Sequence, residues 1–581
     1  MKKYIVLIVI VLQSCVGMDY APTTEISSDT YWRTIEDARS GVDGVYPSWK
    51  DVAGWQYVTD GWTDLAYDQG CMGSGWGYGP RWTSNTQNIA NGFPGLGAMD
   101  QFWKLNYQII NRVNSTLEDF ERVPIKSESE RILLEQYKGE LRFMRAYAYF
   151  YLLDIFGEVP YYEKKVSNEE AFALHKMGKS DLKDRIIEDF SFAADNLRIK
   201  YSDADFGRFT KGAAIAMRGK VRLFWASWQE RDANLGKDGN LTEALEYYAL
   251  AAKDFEEVMK PAYGYTLYKN GLPGTYKELF VPANSNNSEI VLSVRHLGPN
   301  LGLGNILGGA ALGNRSILNS PGILVPVPKL WDIYQDRTTG DYDSPITYGD
   351  GSAPTDFANP TAFENRDLRM DATVVLFEKT MSGIKNDGNL TEPLPYNPRF
   401  PNKAGYIRSD QCTGNLLFRK YVIQWPGITS RGDCNMDVYL MRFSDVMLMY
   451  AEAMNKVNGP REQLFELVDQ IRYRGGLPSL DRSKFNTKEA FHDAIVQERA
   501  VELILEGARF YDIRRWGMVE KLFGANAAFY YRPFDNQGKN VVVVRRWENA
   551  TNREFQRFYL FSLPLSEINK NPNLLPQNPE W

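Results

Sequence analysis

The sequence predicts a mainly α-helical protein. It reads as a tetratricopeptide-like helical-repeat scaffold of about four helix pairs that carries a large, irregular, loop-rich ligand-binding region. Three observations lead there. Long amphipathic segments recur in pairs of about 35 to 50 residues, the size of one helix-turn-helix unit in a stacked array. Small residues (Ala146, Ala148, Ala213, Ala214, Ala451 and Ala453) stand where stacked helices would approach closely. Two long stretches, 50–100 and 262–436, hold only short pieces of helical or strand-like pattern and are crowded with Gly, Pro, Asn, Trp and Tyr. Long stretches of that kind inside a globular chain are where binding sites usually lie.

From the N-terminus, Lys2 and Lys3 precede an unbroken apolar run of nine residues, Tyr4 to Leu12. As a helix such a run spans about 14 Å at about 1.5 Å per residue. That is far short of a ~30 Å hydrocarbon core. It reads as a signal h-region. Leu12-Gln13-Ser14-Cys15 then resembles a bacterial lipobox, in which the cysteine is lipidated. The expected organisation is a lipoprotein signal peptide over 1–14, a lipidated tether over 15–30 beginning at Cys15, and one domain over 31–581.

The scaffold is expected mainly over 102–260 and 437–522. In 131–156, Leu134, Tyr137, Leu141, Met144, Ala148, Tyr151 and Ile155 recur at alternating spacings of three and four, one face of a helix. Gly157 and Pro160 end it. Segment 181–197 reads as its partner, followed by 208–228 with 241–259, 437–457 with 461–474, and 488–506 with 508–522. Glu289 to Val294 alternates like a strand, and Val374 to Glu378 is strand-like.

The chain has 581 residues, 44% hydrophobic and 24% charged, enough to build a core. A net charge of −6 does not suit a nucleic-acid partner, which needs a basic groove. Only His175, His296 and His492 occur, far apart, which does not favour a histidine metal site or a His-dependent triad. No CxxC, GxSxG or HExxH is present. Segment 207–212, GRFTKG, has phosphate-loop spacing but lacks the Lys-Ser/Thr that follows, and reads as a helix start. Asp341, Asp343 and Asp350 read as solvated acids rather than a cation site. Cys412 and Cys434 are open to two readings, a disulfide or two separate thiols. No cofactor or metal is called for.

Several segments then converge on one family. KGELRFMRAYAYFYLLDIFGEVP (138–160), GRFTKGAAIAMRGKVR (207–222), YLMRFSDVMLMYAEAMN (439–455) and IVQERAVELILEGARFYDIRRWG (495–517) resemble the signature helices of SusD/RagB outer-membrane lipoproteins. FWKLNYQIINRVNSTL (102–117) and the C-terminal FSLPLSEINKNPNLLPQNPEW (561–581) fit in the same order. The resemblance implies a lipid-anchored protein of the outer membrane that faces the exterior, although residues 16–19 are less acidic than the family's usual export signal. It implies a partner, a SusC-like TonB-dependent transporter, to which a captured oligo- or polysaccharide is delivered, and binding without cleavage. A peptide-binding member of the family, a glycosidase and a protein-binding helical adaptor are the other readings. The resemblance also places Glu140, Arg142, Arg145, Glu498, Arg499, Arg514 and Arg515 in the scaffold, pairing helices.

The ligand is expected on the loops. Sugar rings offer a C–H face that stacks on flat aromatics and a hydroxyl rim that meets polar side chains. Trp76, Tyr78 and Trp82 lie in GSGWGYGPRW (73–82), where glycines leave little local structure to bury them. Arg81 and Asn85 accompany them, with Trp55, Trp62 and Asp60 just before, and His296 and Trp425 from the middle of the chain. About half of the early rings are expected to pack the loops onto the helices instead.

Overall fold

Helices begin where side chains satisfy the first orphan amides. Thr34 opens α1 (Ile35–Asp43) with a capping box: its hydroxyl accepts from the Asp37 amide at 3.2 Å, and the Asp37 carboxylate accepts from the Thr34 amide at 2.8 Å. Ser127 caps α4 (Glu128–Phe156), Thr210 caps α6 (Lys211–Asn234), Asn240 caps α7 (Leu241–Val258) and Thr487 caps α10 (Lys488–Glu502), each by a side-chain oxygen that accepts from a first-turn amide. The GRFTKG segment is thus a helix start, with Gly207 turning at φ +104° just before the cap. The other main helices are α2 (Tyr46–Ala53), α3 (Ala98–Asp119), α5 (Lys179–Asn196), α8 (Phe443–Asn458), α9 (Glu462–Arg474) and α11 (Ala508–Arg515). The computed structural model describes residues 31–54, 56–68, 98–297, 322–341, 363–376, 379–381, 394–397, 399–400, 402–409, 416–422, 432–523, 528–534, 540–546 and 555–581, with a few positions between 301 and 320.

The helices stack in chain order, as a tetratricopeptide-like array does: α4 on α5, α5 on α6, α6 on α7, α7 on α8, and α8 on α9 and α10. Helix α4 lies at the centre, and every side chain from Phe143 to Phe156 is buried. The three-four stripe from Leu134 to Ile155 is therefore one face of a helix that is buried all round in its second half. Gly219 brings α6 against α7, since a Cβ there would stand 2.8 Å from the Phe255 ring. Paired charges lock the layers. Arg145 holds Asp189 through two bonds of 2.7 and 2.8 Å, linking α4 to α5. Arg515 holds Glu452 at 2.5 and 2.7 Å, Arg499 bridges Asp445 and Asp512, and Arg514 pairs with Asp154. The charged residues of the helix motifs therefore join helices.

Two segments depart from the expected helices. The start of 437–457 is a strand, β4 (Val438–Arg442), antiparallel to β2 (Ile290–Val294). All five β4 residues are buried, so no alternation marked it as a strand. Segment 508–522 breaks after Arg515 and resumes at Val519, with Gly517 at φ +68° in the turn. Val374 makes only an isolated bridge to Phe418. A hairpin of β5 (Ala528–Phe534) and β6 (Asn540–Arg546) was not anticipated, although both runs are rich in aromatic or β-branched residues.

The irregular middle of the chain is fastened by buried charge. Glu502, at the end of α10, accepts from Arg442 and Arg474 at 2.8 Å each and from Arg369 at 2.9 Å. Glu289 accepts from Arg442 at 2.5 Å and Arg474 at 2.7 Å, and Lys420 donates to Glu506 at 2.6 Å. These guanidiniums hold the Glu502 carboxyl well below the usual carboxylate range despite burial, which alone would raise it. No helix among the described residues is long and apolar enough to cross a membrane.

Candidate ligand-binding site

The segment that leads into residues 69–97 is built from hydroxyls and buried acids. In the tight turns of 56–63, the Thr59 hydroxyl donates to the Gln56 carbonyl and the Thr63 hydroxyl to the Asp60 carbonyl, each at 2.7 Å. Asp60 then accepts from the Gly507 amide at 2.7 Å, just ahead of α11. Asp64 is held by Arg509 at 3.0 and 3.1 Å and by Lys329 at 2.8 Å. Burial opposes its ionisation, but Arg509 and Lys329 outweigh burial and keep its pKa below the ordinary value. After Asp64 the chain enters β1 (Ala66–Asp68), which pairs antiparallel with β3 (Leu324–Pro326), Asp68 opposite Leu324. Residues 69–97 therefore run from a strand pinned to the middle of the chain to the first turn of α3 at Ala98.

The middle segment meets the early one through α2. The Lys50 ammonium on α2 donates to the Gly304 carbonyl at 3.2 Å, and the Gly304 amide donates to Asp433 at 2.9 Å. Asn305 and Cys434 exchange backbone bonds of 2.9 Å. The His296 amide donates to Asp437 at 2.9 Å, and its Nδ1 lies 3.1 Å from the Val294 carbonyl. Early and middle segments are thus brought together by the fold.

Between α2, the 56–61 turn, α3 and α4 lies a cavity of about 300 Å³, walled by Val52, Val58, Trp62, Phe102 and Ile155 among others. Four buried polar atoms in its lining, Gln56 Oε1, Trp62 Nε1, Asn106 Oδ1 and the Tyr511 hydroxyl, have no hydrogen-bond partner among the described residues. An apolar chamber with a few unmatched polar atoms can accept a flat group that carries its own donor and acceptor. The cavity was not foreseen. Its one sequence signal is Asn106, which stands on the buried face of α3 between Trp103 and Ile110.

The residues expected to meet ligand divide into two groups. Trp76, Tyr78, Arg81, Trp82, Asn85, Trp55 and Trp425 lie outside the described residues, as do Cys15 and Cys412. Of the rest, Asp60 and His296 are corrected. Asp60 is fully buried, and burial pushes its carboxyl up to about 7. His296 is buried too, and desolvation with the Lys50 charge nearby lowers it to about 4, so it is neutral. Both bind backbone of this chain rather than a surface ligand. Trp62 is also buried, its ring edge-on to Phe510 at 5.3 Å, but it forms part of the cavity wall. Tyr57 is likewise buried, one of the early rings that pack the loops down. Among the described residues no cluster of three His, Cys, Asp or Glu side chains could hold a metal ion.

Two family profiles match this chain. One, described as the SusD family, covers residues 323–581, and the other, described as starch-binding associating with outer membrane, covers residues 81–223. The chain belongs to the SusD/RagB family. SusD-like protein P2 of Formosa agariphila is 22% identical to it over 100% of both chains. Among solved structures, a SusD-like protein from Bacteroides fragilis superposes with a TM-score of 0.75, at 22% identity, over 97% of this chain and 100% of that one. A laminarin binding SusD-like protein superposes with a TM-score of 0.62, at 20% identity, over 95% of this chain and 100% of that one. These structures share the SusD fold, a helical scaffold with few strands, which is what the helix stack predicts.

Proposed function

We propose that this SusD-like protein captures an oligo- or polysaccharide at the cell surface, does not cut it, and delivers it to a SusC-like TonB-dependent transporter. Lipid at Cys15 tethers it to the outer membrane. The observation that carries this reading is the aromatic, glycine-rich segment 73–82 placed within the 69–97 span between β1 and α3, in a chain of this family. The core is supplied elsewhere by helices, so this reading assigns the rings of that segment to ligand. Trp76, Tyr78 and Trp82 stack on sugar faces, and Arg81 and Asn85 bond to hydroxyls. Trp55 and Trp425 supply further rings from the early and middle segments. The laminarin-binding neighbour supports a glycan as the ligand class.

Affinity gels and calorimetry against a polysaccharide panel test the function. A Trp76→Ala/Tyr78→Ala/Trp82→Ala variant is expected to lose glycan affinity by about 1,000-fold, the size of two lost hot-spot contacts of about 2 kcal/mol each, with an unchanged melting transition. Peptide binding without glycan binding sinks the reading. Release of reducing ends from a bound glycan sinks the non-catalytic part. Copurification with a TonB-dependent barrel from membranes, lost in Cys15→Ser, tests the tether and the partner.

A further inference from the structure

Helix α3 has a second groove on the side away from the cavity. It is an open trough of about 680 Å³ bounded by α3, the turn at 160–162, the short helix Asn168–Ala173 and the C-terminal stretch 566–574. Ligand sites span roughly 300–1,000 Å³.

Its floor is aromatic and rigid. Tyr107 and Tyr162 lie nearly parallel, their centroids 6.0 Å apart and planes at 18°. The Tyr107 hydroxyl donates to the Pro160 carbonyl at 2.7 Å. The backbone of Tyr162 is held at both N–H and carbonyl by the Tyr149 hydroxyl, each at 3.0 Å. Both rings are half-buried, so each keeps part of its surface for another partner. Gln108 and Asn111 stand exposed on the rim, two neutral amides that donate and accept as a sugar hydroxyl does. Lys104 and Lys570 are balanced by Asp100 and Glu567, so the groove has no net sign to draw a phosphate or a charged chain.

One wall is unusually bare. No residue of the helix Asn168–Ala173 is buried, and Phe172 is 38% exposed while lining the groove. The end of that helix is tied down by amide side chains of the C-terminal stretch: Asn573 donates to the Ala173 carbonyl at 3.0 Å and Asn571 to the Leu174 carbonyl at 2.8 Å. A wall with no buried side chain has little stability of its own and gains order from whatever fills the trough. We infer that this groove is a second carbohydrate-binding site, taking a short neutral stretch of glycan between the Tyr107/Tyr162 floor and Phe172. Its ligand class rests on the proposed function, while its position does not.

The full chain and the Trp76→Ala/Tyr78→Ala/Trp82→Ala variant are each mixed with hexasaccharides of laminarin, starch, xylan and mannan and followed by hydrogen exchange. One sugar is expected to slow exchange across 160–174 at least tenfold in both proteins. A Gln108→Ala/Asn111→Ala variant, altered only at exposed side chains, is expected to lose that protection and keep its melting temperature. Sugar binding without protection of 160–174 overturns the groove and leaves the loop reading standing, as does protection that survives the double variant. Protection of 160–174 with loop substitutions that do not change affinity upholds the groove and sinks the loop assignment. No binding by any of the four sugars overturns both.

Discussion

The helical scaffold and the irregular middle of this protein are held together by different means. From α4 to α8, helices satisfy their own backbone and bury apolar faces, and charges such as Arg145 and Asp189 join neighbours two at a time. The middle segments have few ladders of their own. They are fastened by long charged side chains that reach far across the chain: Glu289, Arg369 and Lys420 all converge on the ends of α9 and α10. Backbone that cannot satisfy itself by regular structure needs side-chain partners. Buried charges then need one another, because each loses its hydration.

The strongest break of that contrast is Glu502→Ala. It leaves Arg369, Arg442 and Arg474 short of a buried partner and is expected to cost about 3–5 kcal/mol. The scaffold counterpart, Leu152→Ala, is expected to cost about 2–5 kcal/mol by opening a cavity. Urea melts monitored by hydrogen exchange separate them. Glu502→Ala should loosen 289–294 and 416–422 before the helices, whereas Leu152→Ala should weaken α4 to α6 first. Simultaneous loss in both variants would show that the two regions form one cooperative unit.

A smaller effect is expected from Arg509→Ala. Asp64 keeps only Lys329, and the variant should lose about 2–3 kcal/mol, with faster exchange over 56–68. Glycan affinity should fall with it, because that segment leads into the aromatic stretch proposed to bind ligand. Unchanged affinity would show that ligand binding does not depend on the 56–68 segment.

The smallest effect concerns His296, whose folded pKa lies near 4 against an ordinary 6.5. Between those values the unfolded chain binds more protons than the folded one, so this residue's stabilising contribution is present above about pH 6.5 and is lost as pH falls toward 4. His296→Asn should cost about 1 kcal/mol at pH 7. Its deficit against the wild type should shrink on going to pH 5, read as the difference in Tm. A deficit that grows on acidification would mean His296 is charged in the fold.

Helices carried by caps and a one-sided stripe were legible: Thr210 before α6 and the three-four spacing from Leu134 are local signals. Strand β4 was not, because burial on both faces erased its alternation and only its pairing with β2 distinguishes it from helix. Asp60 and His296 were read as ligand partners from their company of loop residues and aromatics. Whether such a side chain faces solvent or the Gly507 amide depends on a contact 447 residues away in sequence. Tyr107, on the amphipathic helix α3, is half-exposed because Tyr162 and the C-terminal stretch leave a trough above it.

By itself, then, the sequence determined what is local or repetitive: the helix pairs, their caps, the family motifs and the supply of aromatics in 73–82. Tertiary structure alone decided which polar groups of the loop-rich half are spent inside the protein. A capping residue meets its amide within three positions, but a buried carboxylate takes its pKa and its role from cations brought to it by the whole fold.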